Sequence, residues 1–172
     1  MPNSYEVSDV IRYIRNPAGT IDEGSTRKRR EGEFLDESRI LDNAYVVVER
    51  YNKKEAVFSN LRAKRHRFMA MFRANAHEPF DDIANALHRV LVASHMLGSH
   101  YWKRQGRVQM EEQEFRNHLK GMQEQEAIFW MIPGSDVVTP IVDGAIKKVE
   151  AITDKAAQEY VGVPGRWQRR KG

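Results

Sequence analysis

HEPFDDIANALHRVLVASHMLGSHYWKRQGR, residues 77–107, is the stretch whose reading decides the fold. At 100° per residue, Ile83, Leu87, Val90, Leu91, Ser94, Gly98 and Tyr101 fall on one arc, which predicts one long amphipathic helix. Pro79 suits its first position and Asp81 and Asp82 complement its N-terminal dipole, while Gly106 is a stop signal. Ser94 and Gly98 are small enough for a second helix to approach closely. The stretch also holds four of the chain's six histidines: His77, His88, His95 and His100.

Upstream, Asp36 to Ala76 contains neither glycine nor proline, and Val47, Tyr51, Phe58, Leu61, Phe68 and Phe72 recur at helical spacing. The pattern predicts one helix of about 60 Å, longer than the later helices can cover. Its first half would overhang, with Leu41, Tyr45, Val48, Tyr51 and Phe58 as an uncovered interaction surface. The β-branched run Val46–Val48 is the alternative, a place where the helix breaks. Lys54 and Arg65 fall on the buried arc and call for carboxylates. The two-residue connection before Pro79 predicts an antiparallel hairpin with the next helix.

Downstream, Phe115, Leu119, Met122 and Phe129 mark a helix over 110–131, closed by Pro133-Gly134. A last helix starts with Thr139 as N-cap and Pro140 at the first position, and ends near Gly162. At the N-terminus, Val7, Val10, Ile11 and Ile14 form a short amphipathic helix, and residues 16–33 read as a mobile basic linker. The expected fold is all-α: an antiparallel bundle of four main helices over 34–162, preceded by the short helix and linker of 1–33 and followed by a basic tail over 163–172.

Composition bounds the function. The chain has 172 residues, 41% hydrophobic and 30% charged, which fits one folded domain. No apolar run reaches the roughly 18 residues of a membrane span. The absence of cysteine removes disulfides, thiolate metal sites and a cysteine nucleophile. No secretory signal is visible, so a cytoplasmic location is expected. A net charge of +4 is too small to make the whole protein a nucleic-acid binder.

Three constellations carry candidate chemistry. If the helices around His95 and His118 fold back on each other, His88, His95, His118 and Glu126 come to neighbouring levels as a possible zinc or iron site. Against this, the Glu-x-x-His pairing of di-iron bundles is missing, and Arg65 at the same level would pair with Glu126. A hydrogen-bonded core network is therefore the preferred reading. The second set is basic: Arg62, Lys64, Arg67 and Arg73, with Arg166, Trp167, Arg169 and Arg170 in the tail, suit nonspecific contact with nucleic acid or anionic lipid. The third is the overhanging stripe from Leu41 to Phe58. No nucleophile elbow, phosphate loop or H-E-x-x-H motif is present, so no residue is assigned to catalysis and no cofactor is expected. The favoured function is a non-enzymatic interaction or scaffold protein that self-associates or binds a partner through that stripe. A small metal-dependent enzyme and a basic nucleic-acid- or lipid-contacting protein are the alternatives.

Overall fold

Apolar periodicity becomes helix along most of the chain that the computed structural model describes, residues 4–19, 22–72 and 74–161. The order is α1 (Ser4–Ile14), α2 (Leu35–Lys53), α3 (Glu55–Phe72), a 3₁₀ turn (Ala74–His77), α4 (Glu78–Met96), a π-helical turn (Leu97–Tyr101), α5 (Trp102–Arg104), α6 (Glu112–Phe129) and α7 (Thr139–Val161). Among the described residues there is no strand. No helix among the described residues is long and apolar enough to cross a membrane.

Helix α4 is the hub and packs against α2, α6 and α7. Its arc of Ile83, Ala86, Val90 and Ala93 is buried, and Leu97 in the π turn extends it. Ser94 donates to the Ala44 carbonyl over 2.7 Å, and a Cβ on Gly98 would stand 2.7 Å from that of Ala44, so the two small residues seat α2 directly on α4. Each fully buried aliphatic side chain in this core contributes about 1.5–3 kcal/mol relative to exposure.

Two expectations about the long first helix are corrected. The helix is interrupted at Lys54, whose φ of −116° and ψ of 12° lie outside helical values. The break turns Tyr51 and Phe58 toward each other, with ring centroids 5.3 Å apart, and both pack against the core. The stripe from Leu41 to Phe58 does not overhang. Val47 and Phe58 are buried, and Leu41, Tyr45, Val48 and Tyr51 are half-buried. Helix α1 supplies part of the cover: Val7, Val10, Ile11 and Ile14 belong to the same core cluster as Val47 and Val90. Helices α3 and α4, joined by the 3₁₀ turn, are in contact, while α4 packs more extensively against α2, α6 and α7.

Residues 22–33, expected to be mobile, are strapped onto α2. Glu49 accepts from the Gly24 N–H (2.9 Å) and the Thr26 hydroxyl (2.8 Å) and pairs with Lys53. The Lys53 ammonium first, and then the Thr26 and Gly24 donors, hold the Glu49 carboxyl down at about 2. Arg27 pairs with Glu33 and Asp42, so the basic run meets carboxylates of its own chain.

Two buried arginines close helix ends. Arg50 donates to the carbonyls of Tyr13, Ile14, Asn16 and Ala18, the C-terminal end of α1, and pairs with Glu23. Arg15 does the same for α6, donating to the carbonyls of Ala127, Ile128 and Trp130 and to Asp136. Burial draws the Arg15 guanidinium below its ordinary acidity constant, and Asp136 opposes that pull. These bonds satisfy carbonyls that a helix end otherwise leaves unpaired. Asp136 also accepts from the Val138 and Thr139 N–H groups, so it, rather than Thr139, caps α7.

Candidate functional site

In α3, Val57, Leu61, Lys64, Phe68 and Met71 are spaced four, three, four and three residues apart, one seam at the coiled-coil period. This seam forms one wall of an elongated cavity of about 270 Å³. The facing wall comes from Val7 of α1, Pro79, Phe80 and Ile83 of α4, and Ile146 and Val149 of α7. Beneath α3 a small second core cluster, Phe68, Ala76 and Phe80 with Leu61, Phe72, Val149 and Ile152 against it, packs beside this cavity.

The rim is polar and unbalanced. Lys64 and Arg67 line it and form no ion pair or hydrogen bond among the described residues. Arg65, between them in sequence, points elsewhere and pairs with Asp81 at 2.8 Å, which corrects the expected pairing with Glu126. Asp81 sits in the first turns of α4, a carboxylate the helix dipole favours, and it also meets His77 Nδ1 at 2.8 Å. Glu6 is the carboxylate on the α1 side, where a shallower recess continues past Asp9 and Tyr13 to Lys54. Met71, at 71% exposure, stands open at the Arg67 end. Chemically the trough offers apolar contact along its length and two uncommitted cations on its α3 rim.

The other expected site residues lie apart. His88 and His95 are exposed, His118 is buried, and Glu126 accepts from the Trp102 indole N–H at 2.8 Å. No group of three or more His, Asp or Glu side chains among the described residues is arranged to hold a metal ion. His88 stands two residues from both Ala86 and Val90, and His95 two residues from both Ala93 and Leu97, a rotation of about 200° that points both imidazoles away from the buried arc. Beyond them the π-helical turn at Leu97–Tyr101 winds one extra residue into the helix, and Tyr101 and Trp102 face α6. The Tyr101 ring lies 5.4 Å from that of His118, and a side chain at Gly121 would overlap its phenol.

His118 is 5% exposed, and neither ring nitrogen has a hydrogen-bond partner. Such a group contributes desolvation cost without compensation. His118→Leu is expected to stabilise the fold by about 1 kcal/mol. Urea denaturation checks it, and a loss of stability would mean that the imidazole has a polar partner after all.

Of the basic set, Arg62 is exposed and bonded to Ser59, and Lys64 and Arg67 line the groove. Arg73, Arg166, Trp167, Arg169 and Arg170 lie outside the described residues. Sequence reasoning gave Lys64 and Arg67 nonspecific contact with nucleic acid or anionic lipid and missed the groove. The available signal was the four-three spacing from Val57 to Met71, which runs through the basic stretch and out on both sides of it. Arg15 and Arg50 were also missed; a lone arginine directly after a fully apolar helix face is the sign that could have found Arg15.

No protein-family model, curated protein or solved structure matches this chain.

Proposed function

We propose that the chain is a non-enzymatic interaction protein whose docking face is the groove beneath α3. The class is the one expected from the sequence, but the surface moves from Leu41–Phe58, which the protein covers itself, to Val57–Met71. One observation carries the reading: an apolar trough of about 270 Å³ with Lys64 and Arg67 on its rim, two cations without a partner among the described residues. Binding sites are largely apolar concavities with a few placed polar groups, and exposed apolar surface beside them marks contact with something else. Self-association remains within this class. A metal-dependent enzyme built on His88, His95, His118 and Glu126 gains no support from the separation of those side chains. Contact with nucleic acid draws only on the charges of Arg62, Lys64 and Arg67, because the groove walls offer no exposed aromatic face on which a base would stack.

Titration with 8-anilinonaphthalene-1-sulfonate, an apolar anion, tests the docking face directly. Saturable one-to-one binding by protein with intact near-ultraviolet dichroism is expected, weakened about tenfold or more in the double variant Lys64→Glu, Met71→Glu. Absence of saturable binding, or equal binding by the variant, would refute the assignment.

A further inference from the structure

The geometry points to an acidic amphipathic helix of a partner protein as the occupant of the α3 groove, its apolar ridge lying in the trough and its carboxylates on Lys64 and Arg67. The inference rests on the reading of the groove as a docking face. Its first ground is shape. The α3 wall runs from Val57 to Phe72, about 22 Å of helix at 1.5 Å per residue. Spread over that length, about 270 Å³ is a trough one side chain wide rather than a chamber. A cavity of about 150 Å³ suffices for a compact ring such as benzene, so the same order of volume drawn out along a helix suits a row of separate side chains. The four-three spacing of Val57, Leu61, Lys64, Phe68 and Met71 also matches the spacing at which a second helix presents its knobs.

Charge is the second ground. Lys64 and Arg67 stand three residues apart on one face, a separation that two carboxylates on a facing helix can meet. Arg62 is exposed on the same helix and adds to the local positive field. Glu6 and Asp9 lie toward the α1 side, which sets a direction: the acidic residues of the partner belong at the Arg67 end. The chain's own segments are poor occupants. In α6, the acidic helix, Glu112 and Glu114 are already paired with Arg116 and Arg104. The C-terminal sequence carries Arg166, Arg169, Arg170 and Lys171, the same sign as the rim. A bilayer is excluded by shape, because an apolar concavity cannot insert into a surface that only a protruding face enters.

The experiment uses fluorescence anisotropy with the full chain and three labelled 16-residue helical peptides. One has leucines spaced four and three apart with glutamates beside them. The second replaces glutamate by lysine, and the third replaces leucine by serine. The glutamate-leucine peptide is expected to bind about tenfold or more tighter than either control, and Lys64→Glu, Arg67→Glu is expected to reverse the preference between the two charged peptides. Both substitutions lie on the rim, and circular dichroism verifies the fold of the variant. Equal binding of the charged peptides, or failure of the reversal, overturns the inference. If no peptide binds while 8-anilinonaphthalene-1-sulfonate still does, the helical partner is wrong and the docking face stands. If neither binds, both fall. Self-association that blocks the glutamate-leucine peptide and is broken by Met71→Glu would replace the outside partner with a second copy.

Discussion

Arg15→Met is expected to destabilise the fold by about 3–5 kcal/mol, the range for removing one member of a buried charged network. Arg15 has no exposed surface, and its guanidinium joins three elements. Nε reaches the Ile128 carbonyl at 2.8 Å, Nη2 reaches those of Ala127 and Trp130 at 3.0 and 2.9 Å, and Nη1 reaches Asp136 at 2.7 Å. The Arg15 carbonyl in turn accepts from the Met131 N–H at 2.8 Å. Methionine fills much of the same volume but leaves the carbonyls at the end of α6 unpaired and the Asp136 carboxylate without its cation. For a domain of this size each kcal/mol lowers the melting temperature by roughly 2–4 °C, so a drop on the order of 10 °C is expected by thermal denaturation. Arg15→Lys restores the charge but not the planar fork, and is expected to recover less than half of the loss. A methionine variant within 1 kcal/mol of the parent would show that water replaces these bonds and that the arginine is not what joins α1 to α6 and α7.

Gly24→Val is expected to release the strap over α2 at a cost of about 2–4 kcal/mol, the sum of a strained backbone and an overpacked contact. Gly24 has a φ of +87°, where a side chain is disfavoured. The added Cβ would overlap the Asp42 carbonyl oxygen and lie 2.8 Å from its carbon, atoms of a helix backbone that cannot turn aside. The Gly24 N–H also donates to Glu49 at 2.9 Å, so the strap loses that anchor when it moves. The readout is local opening. Trypsin is expected to cut after Arg27 to Arg30 about tenfold faster or more in the variant, because lifting the strap separates Arg27 from Glu33 and Asp42. Gly32→Val is the control. Its φ is +77°, but nothing lies within 4 Å of its added Cβ, so only the backbone strain of about 1 kcal/mol applies. If the two variants are cleaved alike, the contact with Asp42 is not what holds the strap.

The helices were legible from periodicity, and their sites of closure were not. Ile83, Val90 and Ser94 were readable as one buried arc because a 3.6-residue repeat needs no knowledge of what lies opposite. Ser94 and Gly98 were readable as a close crossing for the same reason, since small size permits approach whatever the partner. The break at Lys54 had no glycine or proline to announce it. It is stabilised by Tyr51 stacking toward Phe58 and by α1 docking alongside, where Lys54 Nζ stands 5.6 Å above the Tyr13 ring. The second of these joins residues about 40 positions apart in sequence.

The candidate site divides along the same line. Lys64 and Arg67 were legible as basic residues, and their chemistry needs no structure to state. That Arg65 turns to Asp81 while its neighbours remain uncommitted on a groove depends on where α4 begins in space. The histidine cluster failed for a related reason. His88 and His95 sat on the rim of the expected arc, and packing centres the buried arc on Ala86, Val90 and Ala93, about half a turn from both histidines.

By itself, then, the amino-acid sequence determined an all-helical chain without a membrane-spanning helix, the buried arc of the helix after Pro79, and the types of charge available at its surface. These come from local repeat and side-chain chemistry. Tertiary structure alone decided that α1 belongs to the core and the strap lies over α2, that Arg15 and Arg50 close the ends of other helices, and that a groove opens beneath α3. Each of these depends on pairings between distant segments, whose energies exist only once the helices have been brought together.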